Sequence, residues 1–166
     1  MASFEIVKLV GHGAFSTVYC ARNSNKTVAI KCLVNEVSFQ RELMFLNACL
    51  HTNVVRALWS LPACDGSGGS IVLPFFRHVL HQVVRNGSVS ANERLVVAKD
   101  MSAGIAHLHS RAIVHCDLKP SNVLVKMHGK RVVKAVVSDL GSASFEYEAS
   151  LQTARRTTLA YSAPAV

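Results

Sequence analysis

Apolar positions along the chain change period several times, and each change marks an element. Residues 4–10, 17–22 and 27–33 are rich in β-branched and apolar side chains, and the first run leads into Gly11-His12-Gly13. That pattern predicts a hairpin with a glycine-rich turn. From 36 to 50 the period becomes helical, with Phe39, Leu43, Leu46 and Leu50 on one expected stripe. Two more strand-like runs, 53–60 and 70–75, flank Pro62–Gly69, whose composition dictates a turn or loop. Asn86-Gly87-Ser88 breaks the chain again. Ser90 then stands three residues before Glu93, a capping-box signature in which each residue satisfies an amide of the other. The helix it opens is expected to run to about Ser110, with Leu95, Ala98, Met101, Ile105 and Leu108 along one side. Beyond it come an expected loop (113–121), a strand pair (122–126 and 131–137) turning at His128-Gly129-Lys130, and an irregular polar tail. The natural division is a β-rich lobe with one helix over 1–76 and a helical lobe over 77–166.

Half of the 166 residues are hydrophobic and 17% are charged, which excludes a disordered tail. The net charge of +8 favours acidic partners. The basic residues are scattered, their longest cluster being Arg155-Arg156, and no basic stripe interleaves with aromatics, which disfavours nucleic acid. Cys20, Cys32, Cys49, Cys64 and Cys116 are odd in number and widely spaced, a pattern of neither a disulfide framework nor a zinc site and one that fits a reducing compartment. His78 and His81 share an expected helical face, where two partly exposed histidines are the favoured reading over metal ligands. No cationic-then-apolar leader is visible, and no apolar stretch approaches the roughly 18 residues of a membrane span. The expectation is a soluble intracellular protein, cytoplasmic or nuclear, with no membrane partner.

Candidate chemistry begins at Val10–Val18, where Gly11 and Gly13 let backbone amides approach phosphate closely. Taken alone this is a weak signal, since many hairpins carry two glycines. Val28-Ala29-Ile30-Lys31 ends in a lysine that reads equally as a solvated strand end. Glu42, however, lies beside the apolar stripe, between Phe39 and Leu46. A carboxylate facing inward is costly unless paired, and Lys31 is the candidate partner. The decisive segment is Ile113–Val125, in which Asp117, Lys119 and Asn122 bring a base, a cation and a metal-binding amide into one loop. Seventeen residues past Asn122 comes Asp139-Leu140-Gly141, closing an apolar strand. A carboxylate opposite that amide suits hard magnesium ions and phosphate oxygens.

These motifs, in this order, resemble the eukaryotic-type protein kinases, most closely the serine/threonine class, over nearly the whole chain. The resemblance implies an α+β, two-lobe fold with a β-rich N-lobe carrying one helix and an incomplete helical C-lobe. It implies ATP and Mg2+ as cofactors and Ser/Thr of a protein as acceptor. The loop Val10, Gly11, His12, Gly13, Ala14, Phe15, Ser16, Thr17 and Val18 would cover the ATP phosphates. Lys31 would contact them while paired with Glu42, Asp117 would orient the substrate hydroxyl, and Lys119 would steady the transferred phosphate. Asn122 and Asp139 would hold magnesium, Thr158 would brace Asp117 and Lys119, and Val18, Ala29 and Leu124 would sandwich adenine. Leu73 stands as gatekeeper and Pro74-Phe75-Phe76 as hinge.

Four positions depart from the family pattern. Ser16 replaces a loop glycine, Leu140 a phenylalanine, Cys116 an arginine, and Ala165 the glutamate expected after Ala163-Pro164. Cys116 predicts activity independent of activation-loop phosphorylation. With the chain ending at Val166, the lobe is expected to be truncated after the activation segment, leaving apolar surface beneath His115, Leu124 and the 90–110 helix. Two functions follow: a minimal kinase, stabilised by a partner or by self-association through that surface, or a kinase-like decoy that binds another kinase or its substrate. Compactness and loosened motifs suit a virus, and hence a host-cell location.

Overall fold

A computed structural model describes residues 4–87, 89–151 and 159–161. The chain divides into two compact units, Met1–Ala48 with Arg56–Phe75, and Cys49–Val55 with Phe76–Val166. Secondary structure is mixed, a largely antiparallel α+β arrangement.

The first unit is a five-stranded antiparallel sheet made of β1 (Glu5–His12), β2 (Ser16–Arg22), β3 (Thr27–Leu33), β4 (Trp59–Pro62) and β5 (Gly69–Pro74), ordered β1-β2-β3-β5-β4. β2 and β3 pair without a break from Ser16↔Leu33 to Arg22↔Thr27, and β3 continues onto β5 as Ala29↔Leu73 and Lys31↔Ile71. Strand alternation then puts Val18, Ala29, Lys31 and Leu73 on one face. α1 (Glu36–Ala48) covers the sheet so closely that a Cβ on Gly69 would stand 2.7 Å from the Phe39 ring. Ala21, Val28 and Val72, with Phe4, Ile30 and Leu58, form a second small core.

The buried stripe of α1 is Phe39, Glu42, Phe45 and Leu46, continued by Cys49. Leu50, expected on the stripe, is 71% exposed, and Leu43 is only half-buried. Counting apolar residues shifted the face because its central position is a carboxylate. The expected strand over 53–60 shrinks to Trp59–Pro62. Residues 53–55 pair elsewhere, within the second unit, where Val55 N donates to Val137 O (2.8 Å) and Val137 N to Asn53 O (2.8 Å).

In the second unit β6 (His78–Val79), β8 (Val123–His128) and β9 (Arg131–Val137) form a sheet, while β7 (Ile113–Val114) pairs with β10 (Ser144–Phe145). The helices are α2 (Leu80–Arg85), α3 (Ala91–His109) and α4 (Glu146–Leu151). The expected loop over 113–121 and the polar tail therefore hold short pairing and helical pieces. His78 and His81 fall on a strand and a helix respectively rather than on one helical face. No group of three or more potential metal ligands of the His/Cys/Asp/Glu type exists among the described residues.

The capping box is present: Ser90 Oγ accepts from Glu93 N (3.4 Å) and Ser90 N donates to Glu93 Oε2 (2.9 Å). The face of α3 that packs inward carries Val97, Gly104 and Leu108, whereas Leu95 is 69% exposed and Ala98 is exposed. Gly104 decides that face, because a Cβ there would lie 2.6 Å from Asn53 O. β9 is an edge strand whose outward amides are nonetheless occupied. Glu93 Oε1 accepts from Val132 N (2.6 Å) and Asp100 Oδ2 from Ala135 N (2.8 Å). Carboxylates from α3 thus stand in for a neighbouring strand. Hydrogen bonds from Ser90, foremost its side chain, and from Val132 N pull the Glu93 carboxyl down to about 2.

Along α2 and α3 runs an open apolar groove of about 360 Å3, lined by Leu80, Val84, Val89, Val97, Met101 and Ile105 among others. No helix among the described residues is long and apolar enough to cross a membrane.

Candidate active site

In the first unit the β1–β2 turn is closed by Gly13 N donating to Ser16 O (2.9 Å), and His12 Nδ1 lies 3.0 Å from Thr17 Oγ1 across the strands. Val34 N donates to Phe15 O (3.2 Å), tying the loop to the end of β3. A Cβ on Gly11 would meet nothing within 4 Å, and one on Gly13 only Ser16 O at 3.8 Å. Neither glycine is demanded by the protein's own packing, so the space above them is free for a ligand to approach the backbone. Val10, His12 and Ala14 are exposed, as is Phe15 (45%). On the sheet face that carries Val18, Ala29 and Leu73, Lys31 Nζ sits 2.7 Å from Glu42 Oε1, with side chains 8% and 2% exposed. The strand holds the lysine and the helix the carboxylate, and each charge meets its partner where water cannot reach it.

The second unit assembles its own cluster around His115. This ring is buried at 4% exposure; its Nε2 donates to Ser138 O (2.9 Å) and its Nδ1 accepts from Asp117 N (3.3 Å). Those two bonds require the neutral tautomer with the proton on Nε2. Burial is the main cause that pushes the imidazole below its ordinary range, opposed by the Ser138 bond and by Asp139 and Asp117. One side chain thereby fastens the loop at Asp117 to the residue before Asp139.

Asp117 Oδ2 accepts from Lys119 Nζ (2.7 Å) and from Asn122 Nδ2 (3.1 Å), and Asn122 Nδ2 also donates to Asp117 O (2.9 Å). Asn122 O in turn accepts from Ser138 N (2.9 Å) and Ser138 Oγ (3.0 Å). Asn122 and Asp139, the expected magnesium ligands, are therefore linked through Ser138. Asn122 Oδ1 is not consumed by these contacts, and an amide oxygen with a carboxylate is a donor set that fits a hard divalent cation completed by phosphate and water. Cys116 (φ 65°) and Asp139 (φ 65°, ψ 71°) both occupy the left-handed region, which for non-glycine residues costs on the order of 1–3 kcal/mol each and persists where surrounding bonds enforce it.

Leu124 lies half-buried on β8, and Leu73 and Pro74 end β5, while Phe76 begins the second unit's main segment. Thr158, Arg155, Arg156, Ala163, Pro164 and Ala165 lie outside the described residues. His115 and Ser138 were not singled out from the sequence. A histidine between an apolar strand and a charged loop is a readable signal, whereas Ser138 has none beyond adjacency to Asp139.

Because native His115 resists protonation while the unfolded chain does not, its contribution to stability is present above the ordinary histidine pKa of about 6.5 and is lost as pH falls below it. Urea midpoints between pH 7.5 and pH 5.5 should fall less for His115→Phe than for the wild type, although the variant starts lower for want of two hydrogen bonds.

Residues 4–166 match the protein kinase domain family, and the chain belongs to it. It is similar to the "Probable CTD kinase subunit alpha homolog" of Encephalitozoon cuniculi (strain GB-M1), 27% identical over 98% of this chain and 50% of that protein. It is also similar to "Probable serine/threonine-protein kinase glkA" of Dictyostelium discoideum, 33% identical over 84% of this chain and 30% of the relative. The "Proto-oncogene serine/threonine-protein kinase mos" of Sus scrofa is 34% identical over 72% of this chain and 42% of its own length. The chain thus spans half the length or less of these relatives.

Proposed function

We propose that this protein transfers the γ-phosphate of ATP to Ser or Thr hydroxyls of protein substrates, inside the cell. The observation that supports this reading is the knot Asp117–Lys119–Asn122–Ser138, which holds a carboxylate, an ammonium and an amide together beside Asp139 in the second unit. Asp117 accepts the hydroxyl proton as the substrate oxygen bonds to phosphorus, and the bond to the β-phosphate oxygen breaks to release ADP. Lys119 faces the charge on the transferred group. Asn122 and Asp139 would hold magnesium, which when bound neutralises phosphate charge. In the first unit, Lys31 oriented by Glu42 would meet the α- or β-phosphate, the glycine loop would cover the chain of phosphates, and Val18 and Ala29 would lie against adenine.

The apolar groove along α2 and α3 favours a second reading, a kinase-like module that docks another kinase, its substrate or a second copy of itself. On that reading, charges placed on α3 abolish biological activity.

The test is transfer of labelled γ-phosphate from ATP–magnesium to the purified chain and to a mixture of proteins, with the labelled residues identified. Label on Ser or Thr is the expected result. A folded chain that neither transfers label nor gains thermal stability with ATP–magnesium overturns the proposal, and a thermal shift without transfer moves the weight to the docking module.

A further inference from the structure

The β8–β9 hairpin presents a cationic face on which no described carboxylate forms an ion pair. Between Val123 and Val137 the sequence contains Lys126, Lys130, Arg131 and Lys134 and not one Asp or Glu. The ladder sets Lys126 directly opposite Lys134 and His128 opposite Arg131. The Lys126–Lys134 pair sets like charges face to face across an antiparallel ladder, which opposes folding, and Lys126, Lys130 and Arg131 are exposed with Lys134 half-buried. Alternation puts Val123, Val125 and Val132 into the core and leaves the cations on the opposite face.

The acids that could compensate are turned away. Glu93 and Asp100, contributed by α3 beside β9, aim their carboxylates at the backbone amides of Val132 and Ala135. Arg131 comes near enough to depress Glu93, yet none of the four cations forms an ion pair with a described residue. The edge of β9 is also closed to strand addition by those same bonds and by Asn53. What the hairpin offers a partner is therefore side-chain charge, not backbone.

We infer that the outer face of the β8–β9 hairpin is a docking surface for an acidic, extended segment of a partner protein. An extended chain presents alternate side chains on one face at intervals of roughly 6.6 Å, so carboxylates spaced along it would meet the Lys126–Lys134 pair and, nearer the turn, Lys130 and Arg131. The hairpin contains no Phe, Tyr or Trp, so it lacks the stacking surface that single-stranded nucleic acid uses. This inference does not depend on phosphotransfer, and binding alone tests it.

The probe is a fluorescein-labelled peptide of alternating glutamate and alanine, titrated by anisotropy with the full chain. Binding that weakens with salt is expected. Lys126→Ala/Lys134→Ala should weaken it by about tenfold, while Lys8→Ala/Lys26→Ala, which removes the same charge from exposed positions of the first unit, should change it less than about twofold. Lys126→Glu should abolish hairpin-dependent binding without lowering the thermal midpoint, because it replaces a repulsive cross-strand pair with an attractive one. Absence of peptide binding overturns the inference, as do equal losses in the hairpin and control variants. Tighter hairpin-dependent binding to a DNA duplex or to phosphatidylserine vesicles than to the peptide overturns the assignment of an acidic protein segment.

Discussion

Asp117→Asn is expected to slow γ-phosphate transfer by about 10²–10⁴-fold, the range in which a positioned general base contributes. The substitution is nearly isosteric, and its amide oxygen still accepts from Lys119 Nζ and Asn122 Nδ2, which now meet at Asp117 Oδ2. The backbone contacts survive as well: Asp117 O to Asn122 Nδ2, and Asp117 N to His115 Nδ1. Stability should therefore change little, and so should ATP affinity, since on the proposed function the side chain serves the acceptor hydroxyl rather than the nucleotide. The loss should appear in kcat, with the nucleotide-induced thermal shift retained. Lys119→Met separates the two proposed roles: it removes the charge proposed to face the transferred group but leaves the proposed base, so it should cost less than Asp117→Asn. Wild-type rates from folded Asp117→Asn would remove Asp117 from the chemistry.

How much of this was legible before folding depended on whether the signal was local. The Ser90–Glu93 capping box reads from spacing alone, since both partners lie within one helical turn, and the structure forms it. The hairpin turning after His128 likewise forms from local pattern. Helix faces were harder. In a chain that is half hydrophobic, more than one stripe fits a helical period, and the choice is made by distant contacts. Leu95 and Ala98 lost to Val97 and Gly104 because Asn53 O passes within reach of a missing Cβ. Asn53–Val55 looked like strand and does pair, but with β9, more than eighty residues away in the case of Asn53 Nδ2 and Ala135 O. The candidate site shows the same divide. Asp117, Lys119 and Asn122 share one short segment. The His115–Ser138 bond spans 23 residues, and no periodicity announces it.

Removing Glu42 should unfold this protein more readily than any surface change. Lys31 and Glu42 are 2.7 Å apart with side chains 8% and 2% exposed, so Glu42→Ala removes one partner of a buried ion pair, a loss of about 3–5 kcal/mol. Urea unfolding should show it as a midpoint shift at unchanged slope. The double variant Lys31→Met/Glu42→Leu fills the same space with apolar groups and removes both charges. Such replacements are often neutral or stabilising by about 1–4 kcal/mol, so the double variant should recover the stability lost in Glu42→Ala. Recovery of the fold should not bring recovery of function. With no cation on the sheet face that also carries Val18 and Ala29, the double variant should neither gain thermal stability from ATP–magnesium nor transfer label. If it does both, the pair serves packing alone. If stability returns and nucleotide handling does not, the buried charge is kept for phosphate, because a hydrocarbon pair would have served the core equally well.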